Sequence, residues 1–174
     1  MFKPGDMVVH RTLGAGIVMS VEEKMIDGVT HQFLRIKLKL KEGDILIPCN
    51  EASCAELRTA VTEIQVSQIE KILQTKTSRK SGVVLLPEEV VSPEDLVNSY
   101  DPINIARAIR LLEDESRGLE FSPAHRELLA TARTALAGEL MQVKGISRAA
   151  AFTFITRALK AGDLAAKERK KKLK

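Results

Sequence analysis

Phe2-Lys3-Pro4-Gly5-Asp6-Met7-Val8-Val9-His10-Arg11-Thr12-Leu13-Gly14-Ala15-Gly16-Ile17-Val18-Met19-Ser20-Val21-Glu22 decides the fold of the N-terminal third of the chain. Pro4-Gly5-Asp6 is turn chemistry, and Met7-Val8-Val9 after it is a short β-prone run. Leu13-Gly14-Ala15-Gly16 turns the chain back into a second strand, Ile17 to Glu22. Two glycines this close to a strand start point to positive φ or to close approach of another backbone, the bend a small barrel needs. A dinucleotide-binding fingerprint would need a third glycine and a helix immediately after it, whereas a strand follows here.

Outward from that stretch the β signals continue. Asp27-Gly28, between Met25-Ile26 and Val29-Thr30, is the strongest short hairpin signal and makes the second and third strands antiparallel neighbours. Leu34-Arg35-Ile36-Lys37-Leu38-Lys39-Leu40 alternates apolar and basic residues, the period of a strand with one face in water. Lys41-Glu42-Gly43-Asp44 turns it, and Ile45-Leu46-Ile47-Pro48 is a last strand stopped by proline. Four or five short strands within about 60 residues predict a small SH3-like or Tudor-like barrel over residues 1–60. Such a barrel leaves a strand edge open, and an open edge either pairs with a strand of another protein or is blunted, here by Lys37, Lys39 and Lys41.

From Thr62 the period changes. Ile64, Ile69, Ile72 and Leu73 lie near one helical face behind a Thr62 cap. Residues 74–82 are polar and breaker-rich and read as a flexible segment. Val83-Val84-Leu85-Leu86 is apolar and ended by Pro87. Ser92-Pro93, Asp101-Pro102 and Ser122-Pro123 each pair a cap with a proline at the first helical position, so three helix starts are marked. Arg117-Gly118-Leu119 ends the middle helix, Gly145-Ile146-Ser147 breaks the next, and a last helix runs from Arg148 to Lys160. The expected class is α+β, with an N-terminal β-barrel and a C-terminal all-α helical bundle over residues 61–166.

Composition limits the chemistry. A chain of 174 residues with 44% hydrophobic content holds one ordinary domain or two small ones. It has neither a long apolar run for a membrane span nor a basic-then-apolar leader, so a cytoplasmic location is expected. Cys49 and Cys54 are the only cysteines; with no secretory signal they are expected as reduced thiols. His10, His31 and His125 have no paired spacing that would complete a zinc site. The formal charge of +4 is localised: Lys167 to Lys174 carries six bases and one acid, leaving residues 1–166 at about −1. Residues 167–174 are thus a basic tail that either only aids solubility or holds phosphates without reading sequence. No nucleophile elbow, zinc-binding helix, Walker loop or paired acid appears, so no enzymatic activity, cofactor or small-molecule ligand is expected.

The arrangement Phe-Lys-x-Gly-Asp-x-Val-Val, Gly-x-Gly-x-Val, Val-Glu resembles the start of the CarD family of bacterial RNA-polymerase-binding proteins, whose N-terminal module also occurs in transcription-repair coupling factors. Phe33-Leu34-x-Ile36, Ile45-Leu46-Ile47-Pro48 and Leu57-Arg58 continue the likeness, with Glu56 where the family has glycine. In the helical half it is carried by Ile105-Ala106-x-x-Ile109-Arg110-x-Leu112, by Arg117-Gly118-Leu119, and by Glu127-Leu128-Leu129-x-x-Ala132-Arg133-x-x-Leu136 before Gly138-Glu139-Leu140. Together these span about residues 2–160.

The resemblance implies docking on the RNA polymerase β subunit by strand pairing, assisted by basic side chains. Lys24 falls where some members carry a contacting arginine, and Leu46 where they carry another. The third and fourth strands then supply Arg35, Ile36, Lys37, Ile45, Leu46 and Ile47. The family's helical domain wedges a tryptophan, followed by basic residues, into promoter DNA at the melted bubble. This chain has no tryptophan. The wedge position falls near Leu86 and the following arginines become Glu88 and Glu89, so Leu86 is either a wedge or packing under the bundle.

Two functions are consistent with these residues. The first is a transcription regulator that docks on polymerase and modulates promoter open complexes, with wedging weakened or absent. Its DNA contact would be weak and mostly non-specific, through Leu86, Lys167, Arg169, Lys170, Lys171, Lys172 and Lys174. The second is a protein-only adaptor whose barrel binds polymerase or another factor and whose helical domain binds a protein.

Overall fold

The computed structural model describes residues 2–40, 42–50, 56–76, 84–86, 89–116 and 121–172. Five strands come first, β1 (Met7–His10), β2 (Gly14–Ile26), β3 (Val29–Leu38), β4 (Asp44–Pro48) and β5 (Leu57–Thr59). They form one antiparallel sheet in the order β4-β3-β2-β1-β5. The two glycines of the opening stretch serve the two purposes expected of them. Gly14 has φ +90°, and a Cβ on Gly16 would lie 2.6 Å from Ile36 Cγ2 and 2.8 Å from the Lys37 carbonyl oxygen. Asp27 and Gly28 both have positive φ, 50° and 77°, the two-residue turn that matches strand twist. Because that turn consumes only two residues, Ile26 pairs directly with Val29, and β3 starts five residues before the alternating run that signalled it. Val8, Val18, Leu34, Ile36, Leu38, Ile47 and Leu57, drawn from all five strands, make a single buried cluster.

The sheet is not alone in its compact unit, which joins Met1–Val61 to Gly138–Arg148. The helical part of that insertion is the C-terminal end of a long helix. Arg58 reaches Glu139 with two hydrogen bonds, 2.9 and 2.5 Å, and the Glu139 side chain is 1% exposed. Gln142 Nε2 donates to the Gly16 carbonyl. A Cβ on Gly138 would stand 3.0 Å from Leu40 Cδ1 and 3.7 Å from Ala15 Cβ, so the missing side chain lets the helix sit on the sheet.

The second unit comprises Thr62–Ala137 and Ala149–Lys174. Its elements are α1 (Glu63–Gln74), the hairpin β6 (Val84–Leu86) and β7 (Glu89–Val91), α2 (Pro93–Asn98), α3 (Pro102–Glu115), α4 (Pro123–Lys144, whose last turns belong to the sheet unit) and α5 (Arg148–Lys172). The starts follow the sequence signals: Thr62 forms a capping box with Gln65, and Ser92 and Asp101 cap helices that open on proline. Val66, Ile69 and Leu73 form the buried stripe of α1. Ile64, expected on that stripe, is 74% exposed, because it sits about 200° around the helix from Val66. The hairpin β6–β7 adds a β element to the bundle. Residues 77–83, Pro87, Glu88 and 117–119 lie outside the described residues, so the segment 74–82 is described only to Lys76.

The last helix runs to Lys172, twelve residues beyond the expected end and through most of the stretch read as a tail. Ala161, Ala165 and Ala166 favour the helix, and bases in its final turns complement the negative end of its dipole. Gly162, which would weaken an exposed helix, is required by packing: a Cβ there would lie 2.1 Å from the Gln74 carbonyl oxygen. Beside that contact, Arg110 is 1% exposed. Its guanidinium donates to the carbonyls of Leu73 and Leu159, both at 3.3 Å. It also pairs with Asp114 and, at 3.1 Å, with Asp163, joining α1, α3 and α5. Among the described residues no helix is long and apolar enough to cross a membrane.

Candidate functional site: an open strand edge and its outer face

Strand order leaves β4 terminal in the sheet. The Cys49 N–H donates to the Gln32 carbonyl at 2.8 Å, and these residues continue the register in which Phe33 faces Pro48. Backbone direction alternates along an antiparallel strand. Ile45, Ile47 and Cys49 therefore direct their backbone groups to β3, while Asp44, Leu46 and Pro48 direct theirs to the outer edge, which no strand covers among the described residues. Proline has no N–H, so Asp44 and Leu46 are the outward donors. β3, the strand that carries Ile36, is interior to the sheet. Ile36 pairs with Val18 on one side and Ile45 on the other and is 1% exposed, so an interior strand has consumed its backbone and the core its side chain.

The same alternation divides the expected docking residues. Directly opposed residues share a face of a sheet. Lys24 in β2, Arg35 and Lys37 in β3 and Leu46 in β4 fall on the outer face, together with Ser20, Glu22, Phe33 and Asp44. Ile36, Ile45 and Ile47 fall on the face that carries Leu34, towards the core. Of these three, Ile45 is partly buried and the other two are buried. Leu46 is 37% exposed.

Arg35 is already engaged. Its Nε is 2.5 Å and its second terminal nitrogen 3.1 Å from the Glu22 carboxylate, and Asp44 lies 3.6 Å away. The hydrogen bond from Arg35 is the main reason the Glu22 carboxyl is held below its ordinary value, against an opposing effect of burial; reciprocally, Glu22 raises Arg35. Arg35 thus braces β2, β3 and β4, and the cations left to project are Lys24 and Lys37. The Lys24 ammonium stands 5.9 Å from the Phe33 ring centroid, which supports its long stem over an apolar surface. Glu22, Phe33 and Asp44 were not picked out by the sequence reading, although counting outward from Asp27-Gly28 places Glu22 across from Phe33.

The residues expected to meet DNA are in the second unit. Leu86 closes β6, in register with Glu89 of β7; its side chain, and those of Glu89, Arg169 and Lys170, are outside the described residues, as are Glu88 and Lys174 altogether. Lys167, Lys171 and Lys172 are exposed on the last two turns of α5. His125, at the start of α4, stands 3.6 Å from Glu94 and 3.9 Å from Glu115. Burial, more than any charge, pushes the Glu115 carboxyl up. The two ring nitrogens face different carboxylates, so one ion could not be held by all three. Among the described residues no group of His, Cys, Asp and Glu could hold a metal ion. Cys49 is partly buried against the core of the sheet, and Cys54 lies outside the described residues.

Two comparisons bear on this geometry. Residues 2–59 match the family described as CarD-like/TRCF RID domain. A protein of Bacillus subtilis (strain 168) named "Putative transcription factor YdeB" is 24% identical over 149 residues, covering 84% of this chain and 95% of that protein.

Proposed function

We propose that this chain, whose N-terminal domain belongs to the CarD-like/TRCF RID family, is a transcription regulator that docks on the RNA polymerase β subunit and modulates promoter open complexes. The observation that carries the reading is the free β4 edge, with outward N–H groups at Asp44 and Leu46 beside an outer face bearing Lys24, Lys37 and Leu46. An extended strand of the polymerase adds to that edge by main-chain hydrogen bonds. Lys24 and Lys37 meet acidic side chains next to it and speed encounter. Ile45 and Ile47 contribute by holding the strand straight from the core side, and Arg35 by pinning it through Asp44.

Binding of the full chain to core polymerase and to the isolated β subunit tests this. Leu46→Pro removes an outward donor at an edge position where proline is tolerated, and it should weaken binding about tenfold or more, a loss of about 1.4 kcal/mol. Lys24→Glu should weaken it and reduce the further loss on adding salt, and Leu46→Arg, which restores the arginine found in some relatives, should strengthen it. Full-strength binding by both Leu46→Pro and Lys24→Glu would overturn the docking mode.

At promoters, the contribution of DNA is small in this reading. The helical end of α5 supplies phosphate contacts through Lys167, Arg169, Lys170, Lys171 and Lys172, with Lys174 beyond. Five or six such contacts give a log–log salt slope of roughly −5 on duplex DNA, and a chain ending at Ala166 should lose most of its affinity. Retained affinity in the shortened chain would place the DNA surface elsewhere.

The protein-only adaptor is the second reading. It is favoured by Glu89 standing in register with Leu86, since a carboxylate beside phosphates opposes binding. Leu86→Trp separates the two: a longer-lived open complex supports the regulator that wedges DNA, and an unchanged lifetime with intact polymerase binding supports the adaptor.

A further inference from the structure

The hairpin β2–β3 projects past the rest of the sheet. On the β1 side, β2 is paired only as far as Ile17, with Val18 bonded to Gly5 and Asp6. From Met19 to Ile26 no strand covers that edge among the described residues. Its phase is fixed by the opposite side of β3: Gln32, Leu34 and Ile36 face β4, so His31, Phe33 and Arg35 face β2 and engage Lys24, Glu22 and Ser20. Val21, Glu23 and Met25 then direct their N–H and C=O groups outward, into solvent. Their side chains share one face, where Val21 is 39% and Met25 76% exposed. Between them Glu23 is exposed and accepts a hydrogen bond from the Gln32 side-chain amide, at 3.2 Å.

Natural edges are usually blunted by proline, inward lysine or a bulge. None of these interrupts Ser20 to Ile26. The one bulge, between Val18 and Ser20, precedes the run, and Lys24 lies on the opposite face against Phe33. We propose that this edge is a second strand-addition site, separate from β4, which takes an extended segment of another protein with the alternation apolar–x–basic–x–apolar. The basic residue would face Glu23, and the apolar residues would cover Val21 and Met25.

A second copy of this chain fits poorly. Antiparallel self-pairing across the whole free run must be centred on Glu22, Glu23 or Lys24. Each choice places two like charges directly opposite one another on the two-fold axis, which is destabilising, and the Glu22–Lys24 pairs that the register centred on Glu23 would add draw on side chains already engaged with Arg35 and Phe33.

The test uses the isotope-labelled full chain and the blocked peptide Thr-Val-Thr-Lys-Thr-Val-Thr, with a control peptide carrying Glu in place of Lys. The lysine peptide should shift the amide signals of Val21, Glu23 and Met25 and slow their hydrogen exchange. The control should bind about threefold more weakly, and Glu23→Lys should reverse that preference. Val21→Pro, which deletes one outward donor, should weaken both peptides without moving the Leu34 or Ile36 signals. Absence of change at the three amides, equal binding of the two peptides, or changes confined to Asp44 and Leu46 would overturn the proposal. So would protection of the three amides in a dimer of the chain without peptide.

Discussion

Arg110→Met should destabilise the helical unit by about 3–5 kcal/mol and lower the melting temperature of the full chain by roughly 6–20 °C. The guanidinium is buried at 1% exposure and pairs with both Asp114 and Asp163, whose side chains are 12% and 13% exposed. Methionine fills a similar length, so the loss would come from two poorly solvated carboxylates that lose the guanidinium and from two carbonyls that lose its hydrogen bonds. Asp163→Asn should cost much less, because Asp114 still neutralises the arginine and the amide oxygen still accepts. A melt of the full chain followed by circular dichroism at the helical band reads both. A shift of only a degree or two for Arg110→Met would mean that the network contributes little.

Arg58→Met should cost a similar amount, about 3–5 kcal/mol, and Glu139→Gln distinctly less. The asymmetry follows from burial. Glu139 is 1% exposed and would keep an unpaired charge away from water, whereas Arg58, at 31%, can hydrate if its partner is neutralised. Urea denaturation of the two variants decides the order, and equal losses would show that the pair acts mainly through its hydrogen bonds. The pair also bears on the docking domain. Because Glu139, Gln142 and Gly138 stabilise the sheet from a helix far along the chain, residues 1–60 by themselves lack part of their own packing. Binding experiments therefore belong on the full chain.

Much of this was legible in the sequence because it rests on local chemistry. Asp27-Gly28 specifies a two-residue turn, and counting from it gives the β2–β3 register as far as Ser20 across from Arg35. Ser92-Pro93 and Asp101-Pro102 place two helix starts to the residue. What escaped reading depends on partners distant in sequence. Nothing near Glu139 shows that its carboxylate will meet Arg58, eighty-one residues earlier, and the sequence-drawn boundary at residue 60 has no access to that contact. Gly162 looks like a helix breaker until the Gln74 carbonyl is set against it. Nothing in the sequence around Arg110 shows that Asp163 will be brought to it from α5. The identity of the edge strand is hidden for a related reason: alternation shows which residues face the core, but only the strand order shows which strand is last.

Strand addition at β4 is the central step of the proposed docking, and amide hydrogen exchange at Leu46 tests it directly. In the free chain the Leu46 N–H points to solvent and should exchange fast, unlike the Ile45 and Ile47 amides bonded to β3. Addition of the polymerase β subunit should slow exchange at Leu46 by about tenfold or more while leaving Ile45 and Ile47 protected as before. Binding of the β subunit with unchanged exchange at Leu46 would contradict the docking mode, and absence of binding would contradict the proposed function itself.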